Sequence, residues 1–286
     1  MFKNNNFRPG NKLRLNDIST DYSAGYASKE AAQERTEKNI DRMARMQDVL
    51  YAQDKYALLI IIQAMDAAGK DGVIKHVMSG LNPQGTMVHS FKPPSAEELD
   101  HDYLWRYIKA LPERGRIGIF NRSYYEEVLV VRVHNLIEKQ QHLPPELITK
   151  NIWKERLEDI GHLEKYLHRN GTVILKFYLH VSKQEQKERL LARLDEPDKN
   201  WKFNAGDLEE RKHWDTYQKY AEEAMIATDT DYAPWYIIPA DKKWFARMAI
   251  SEIIADTLEG MKLEYPRLND DQKKMLAVYR AQLLHD

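Results

Sequence analysis

The stretch IIIQAMDAAGKDGVIKHV, Ile60 to Val77, constrains this chain more than any other. An apolar run ends in a turn of small residues that carries a lysine between two aspartates, and helical periodicity follows. Strand, small-residue turn and helix in that order make a phosphate loop. Small side chains let the backbone curl until successive N–H groups and the helix N-terminus point at phosphate oxygens, and the lysine adds a full charge. Two positions depart from the ordinary form. Ala64 stands where the first glycine belongs, and Asp71 stands where a Ser or Thr usually holds magnesium, while Gly69, Lys70 and Gly72 keep the spacing. Asp66 adds a carboxylate inside the loop. Mg²⁺ prefers oxygen ligands and binds through one or two carboxylates plus substrate phosphates, which makes Asp66 the candidate metal ligand. A bare Gly-Lys pair would fit a chance turn between a core strand and a surface helix. The flanking elements favour phosphate binding, with Ala67, Ala68, Gly69, Lys70, Asp71 and Gly72 as the cradle. Lys75 and His76 read as ordinary surface residues.

Beyond this loop, strand-like and helix-like segments alternate. ALLIIIQA (57–64), TMVHSF (86–91), RIGIF (116–120), TVILKFYLH (172–180) and WYIIPA (235–240) are short and apolar. Strands that read apolar on both faces and alternate with helices predict about five parallel strands in one doubly wound α/β sheet covered on both sides. Residues 1 to about 26 are polar and broken by Pro9 and Gly10, and read as an arm over the surface. A charged helix follows from Ser28, with Ile40, Met43, Met46 and Leu50 as its docking stripe. Ser95 and Glu98 form a capping-box signature opening a helix over AEELDHDYLWRYIKAL, and two amphipathic helices close the chain. The whole reads as one domain over 1–286, with an N-terminal arm and helix over 1–55.

In open parallel sheets the ligand crevice lies at the strands' carboxyl ends, so Asn121 and Arg122, just after the strand ending at Phe120, are expected beside the phosphate loop. Arginine forks onto phosphate oxygens, and Arg122 is assigned that role ahead of a surface ion pair with Glu126 or Glu127. Glu126, four residues on, is placed at the same crevice. Tyr124 and Tyr125 are read as packing against the sheet edge, and Trp235 as core. A third cluster follows the fourth strand. Arg189 and Arg193 share one helix face, Pro197 starts a loop with Lys199, Trp201 and Lys202, and Asn204 with Asp207 caps a second helix. Alone this would be a solvated hairpin. Beside two phosphate-binding corners it reads as a lid over about 183–215.

Composition removes several alternatives. With 43 Lys+Arg against 44 Asp+Glu the net charge is -1, so any polyanion site must be local. The chain has no cysteine, which removes disulfides, Cys-based zinc sites and a thiol nucleophile. No signal-like or membrane-length apolar run appears, and a cytoplasmic protein without membrane or nucleic-acid partners is expected. Apolar stripes on the outer helices suit a homo-oligomer.

Taken together, DAAGKDG (66–72), FNRSYYE (120–126), RLLARL (189–194), EPDKNWKF (196–203), DLEERKHWDTY (207–217) and TDTDYAPWYII (228–238) resemble the polyphosphate kinase 2 family, in family order from about residue 30 to 260. The resemblance implies a P-loop kinase fold related to thymidylate kinases with a two-helix lid. It also implies Mg²⁺-dependent phosphoryl transfer between inorganic polyphosphate and a nucleotide among AMP, ADP and ATP. By position, Asp66 and Lys70 fall on the Walker A acid and lysine, Arg122 on the Walker B arginine, and Arg189 and Arg193 on the lid arginines. Asn121 departs from the aspartate usual there, and with Glu126 it resembles the subgroup that accepts both AMP and ADP. Two rivals stay open: an ATP-dependent nucleoside monophosphate kinase, and a non-catalytic nucleotide or single-strand nucleic-acid binder using the basic, aromatic DKNWKFN loop.

Overall fold

A computed structural model describes residues 4–26 and 28–285; the first three residues of the expected N-terminal arm lie outside the described residues. The elements run α1 (Lys29–Gln53), β1 (Ala57–Ala64), α2 (Lys70–Val77), β2 (Thr86–Ser90), α3 (Ala96–Leu99), α4 (Trp105–Ile108) and β3 (Ile117–Asn121). There follow α5 (Val130–Val133), α6 (Leu136–Gln140), α7 (Ile152–Arg169), β4 (Thr172–His180) and α8 (Lys183–Asp195). The last are α9 (Gly206–Lys212), α10 (Trp214–Thr228), β5 (Trp235–Pro239), α11 (Lys243–Gly260) and α12 (Asp270–His285).

The five strands form one parallel sheet in the order β2-β3-β1-β4-β5. Central β1 carries five consecutive aliphatic residues, Leu58 to Ile62, none of them exposed. At about 1.5–3 kcal/mol for each fully buried side chain, this strand is a main source of stability. A strand buried on both faces needs helices on both sides. α1 and α2 pack on α11, while α7 packs on β4 and α10. The sheet is that of a P-loop kinase. Strand β2 differs from its expectation: it pairs only with β3, and its residues are half-buried or exposed, because an edge strand has one neighbour and little cover.

The buried stripe of α1 is Ala32, Thr36, Asn39, Met43, Gln47 and Leu50, with Ile40 and Met46 at its margins. Polar members belong to it because they have partners: Asn39 donates to Ser251 and Glu252, and Gln47 donates to the Asn82 carbonyl and Thr86. The N-terminal arm does not simply run over the surface. Phe7, Leu13 and Leu15 are buried, and Arg8 is bonded to Asp229, so apolar anchors hidden among asparagines dock it.

Two helical expectations are shortened, the one after Ser95 and the one after Asn204. The segment after Ser95 keeps its capping box but splits into α3 and α4 around Asp100–Tyr103, where no helical periodicity is sustained. The segment after β3 is a 3₁₀ turn, Tyr124–Glu127, before α5. The second helix of the expected lid breaks at His213 into α9 and α10. α12 buries none of its residues, and no helix among the described residues is long and apolar enough to cross a membrane.

Candidate functional site

The site lies where β1 and β3 end. The loop from Met65 to Gly69 leaves β1 and opens α2, and two of its residues take left-handed backbone, Ala67 at φ 59° and Gly69 at φ 106°. Gly69 is the N-cap of α2, and only glycine holds φ near 106° without strain. A methyl group at Gly72 would meet only Arg247 Nη2 at 3.7 Å, an ordinary contact, so space does not dictate glycine there.

Lys70 is 9 % exposed, and its ammonium donates back to the carbonyls of Ala64 at 3.0 Å and Met65 at 3.2 Å. Burial, and next the nearby Arg122 guanidinium, push its pKa below the ordinary lysine value. An ammonium has three donors, so two loop carbonyls leave one direction for a phosphate oxygen.

Arg122 follows β3 in a left-handed conformation, φ 65°, which a non-glycine residue adopts only where its surroundings enforce it. Its guanidinium donates to Asp66 Oδ1 at 2.7 Å and to Glu126 Oε2 at 3.2 Å. Gln63, the one polar side chain at the end of β1, donates to the other Glu126 oxygen at 2.9 Å. The Glu126 carboxylate, followed by Asp66, raises the Arg122 pKa further, against the opposing effect of burial. Asp66, Arg122 and Glu126 are therefore gathered as expected, and Gln63 joins them.

Asn121 donates to Asp71 Oδ1 at 2.7 Å. The two departures from the ordinary phosphate loop thus face each other, the carboxylate on the loop and the amide on the strand.

The arginines of the expected lid behave differently from one another. Arg189, 8 % exposed, donates to the carbonyls of Ala67, Ala68, Ala240 and Asp241 and to Glu185. Its donors are spent on the protein's own carbonyls and on Glu185. Carbonyls left unpaired by the left-handed loop compete for it, which the i, i+4 spacing with Arg193 did not reveal. Arg193 donates to Asp207 Oδ2 at 2.7 Å. Burial, followed by Asp66, raises the Asp207 pKa. Asn204 accepts from the Gly206 amide at 2.8 Å, whereas Asp207 serves Arg193 more than the helix. Gln186, also unforeseen, donates to the Asp66 carbonyl at 2.9 Å and ties α8 to the loop.

Tyr124 and Tyr125 pack in the core, Tyr125 against Trp235 of the edge strand β5, and they also anchor a polar cluster. Both are fully buried, and both hydroxyls donate to Glu164 Oε1, at 2.9 and 2.8 Å. Lys176, buried on β4, donates to Glu164 Oε2 at 2.5 Å and to the Thr228 carbonyl at 2.8 Å. The turn bearing Arg122 and Glu126 is therefore clamped from beneath. Trp235 is core, donating to Thr228.

Two clefts meet here. One, of about 850 Å³, is lined by the loop, Asn121, Arg189, Arg193, Lys199, Trp201 and Lys202. The other, of about 580 Å³, has Tyr107, Leu129, Val130 and Tyr217 in its walls. Asp66, Arg122 and Asp207 border both.

The family profile for polyphosphate kinase 2 (PPK2) matches residues 26–266. The chain belongs to the polyphosphate kinase 2 family. This PPK2 member is 51% identical over 276 residues to the ADP-polyphosphate phosphotransferase of Rhodopseudomonas palustris, covering 96% of each chain. It is 43% identical over 270 residues to the AMP/ADP-polyphosphate phosphotransferase of Meiothermus ruber, covering 94% of this chain and 97% of that one. The crystal structure of polyphosphate kinase 2 from Arthrobacter aurescens superposes with a TM-score of 0.88 at 37% identity, covering 98% of the PPK2 member described here and 95% of that chain.

Proposed function

We propose that this protein transfers a phosphoryl group between inorganic polyphosphate and AMP or ADP. The polymer lies in the larger, basic cleft and the nucleotide in the smaller one, whose apolar and aromatic walls suit a nucleoside. The observation that carries this reading is that both clefts open onto Asp66 and Arg122, so that a phosphoryl group can pass between them without a mobile carrier. The substrates named for the two relatives above support the choice of donor and acceptor.

A nucleotide phosphate is largely ionised at neutral pH, since its second pKa is about 6, so a strong base is unnecessary. Catalysis reduces to in-line placement and to neutralising charge on the transferring group. Lys70 offers its remaining donor to the group in flight. Arg122, held between Asp66 and Glu126, presents a fixed guanidinium at the junction, with Gln63 fixing Glu126 in turn. Arg193 contributes charge from the lid. Arg189 acts by shaping the loop through its carbonyls.

Among the described residues no cluster of three or more acidic or histidine side chains forms a metal cage. Mg²⁺ dehydrates reluctantly and is held by one or two carboxylates together with phosphate oxygens and water. Asp66 is the residue for it, because Arg122 occupies Oδ1 and leaves Oδ2. Bound there, Mg²⁺ would draw charge from the phosphate oxygens.

The test is an assay of AMP and ADP phosphorylation with Mg²⁺, comparing polyphosphate with ATP as donor. Polyphosphate-dependent ADP and ATP formation supports the reading. Turnover with ATP alone as donor favours a nucleoside monophosphate kinase. Oligonucleotide binding without phosphoryl transfer favours a binder.

A further inference from the structure

We infer that Lys243 and Arg247, on the first turns of α11, bind the units of a polyphosphate chain beyond those that react, and so set a preference for long donors over short ones. This rests on the functional reading above and assigns a role that the reading does not need.

Both side chains line the basic cleft and neither borders the second one. Among the described residues neither makes a hydrogen bond or an ion pair. The carboxylates of the same wall are all engaged: Asp66 with Arg122, Asp71 with Asn121, Glu185 with Arg189, Glu188 with Gln184, Glu196 with Lys199 and Asp207 with Arg193. Four of these carboxylates are matched by a cation and two, Asp71 and Glu188, only by a neutral amide, and with nine Lys and Arg against six Asp and Glu in its lining the cleft is net positive. Burial, and next Arg189, push the Lys243 pKa down, with Lys199 and Arg247 adding to the effect against Glu185. Burial lowers that of Arg247, and Arg247 in turn contributes to lowering that of His76. Like charges crowded and partly desolvated without counter-ions cost stability, and an anionic ligand removes that cost.

Their position says which anion. Arg247 Nη2 lies against Gly72, in the first turn of α2 just beyond Lys70. Lys243 opens α11 just after the Ala240 and Asp241 carbonyls that hold Arg189. Both thus stand beside the phosphate loop, in the larger cleft and outside the lining of the acceptor cleft. A nucleotide would end after two or three phosphates, whereas a polymer goes on and has only its charge to be gripped by.

The test uses the full chain carrying Lys243→Ala with Arg247→Gln. ADP formation from AMP is measured with tripolyphosphate and with long-chain polyphosphate over a range of salt concentrations. The ratio of kcat/KM, long over short, is expected to fall about tenfold or more, the scale of one or two lost charge-assisted contacts. The slope of log(kcat/KM) against log salt for the long donor is expected to flatten by about 0.7 for each cation removed. Arg247→Lys, which keeps the charge, is expected to retain most of the ratio. A ratio unchanged in the double variant, or equal losses for both donors, overturns the inference while leaving the function standing. A wild-type protein that uses neither donor overturns both.

Discussion

The side-chain amide of Asn121 donates to the carboxylate of Asp71 across 2.7 Å, joining the end of β3 to the first turn of α2. In an ordinary P-loop enzyme the loop supplies a hydroxyl and the strand an acid. Here the loop carries the acid and the strand a neutral donor, so the two departures compensate each other. Asn121→Asp would set two carboxylates face to face. It is expected to cost about 1–3 kcal/mol of stability at neutral pH, with the loss shrinking relative to wild type as pH falls towards the carboxylate range. Exchanging the pair, Asn121→Asp with Asp71→Asn, restores a donor and an acceptor and should recover most of that loss in chemical denaturation.

Arg189 holds four backbone carbonyls around the phosphate loop. Arg189→Ala strands several of them. Denaturant unfolding should show a loss of about 2–4 kcal/mol, since each buried group left unsatisfied costs about 1–3 kcal/mol and water recovers part of it. A variant as stable as wild type would show that the clamp does not hold the loop.

The Lys176–Glu164 pair is fully buried. Removing one partner leaves the other as an unpaired buried charge, at about 3–5 kcal/mol. Lys176→Met should therefore destabilise strongly, and Lys176→Met with Glu164→Gln should destabilise less than the single change. The comparison of unfolding free energies checks it.

His180 donates through Nε2 to the Leu15 carbonyl at 2.9 Å, its Nδ1 is buried without a partner, and burial lowers its pKa below 6.5. Between the folded value and 6.5 the unfolded chain binds the extra proton and the folded chain does not, so stability rises with pH. The contribution of His180 is complete above pH 6.5 and declines as pH falls below it. Thermal unfolding at pH 7.5 and 5.5 should show a larger loss of Tm for wild type than for His180→Gln.

Much of this architecture is legible along the chain because it is written in local periodicity. The strands stand out as short apolar runs, and the phosphate loop announces itself by small residues between a strand and a helix. The arrival of Asn121 and Arg122 beside that loop follows from parallel topology. What escaped depends on contacts between distant segments. Lys176 lies within the apolar TVILKFYLH and reads as an interruption, because its partner Glu164 sits on a separate helix. The arm reads as polar, although Leu13 and Leu15 are buried in it. Arg189 looks like a lid arginine by resemblance, yet the left-handed loop offers it carbonyls. Long helices were expected where α3, α4, α9 and α10 are interrupted, since backbone geometry at a lid or corner is decided by what it packs on.

Phosphoryl transfer is proposed to happen at the junction of the two clefts, beside Asp66 and Arg122. Its most direct test is kcat for Arg122→Ala with AMP, Mg²⁺ and polyphosphate, alongside circular dichroism to confirm folding. A folded protein whose kcat falls by about a hundredfold or more is expected, the usual consequence of losing a preorganised charge at the reacting group. A folded variant with near-normal kcat would contradict it.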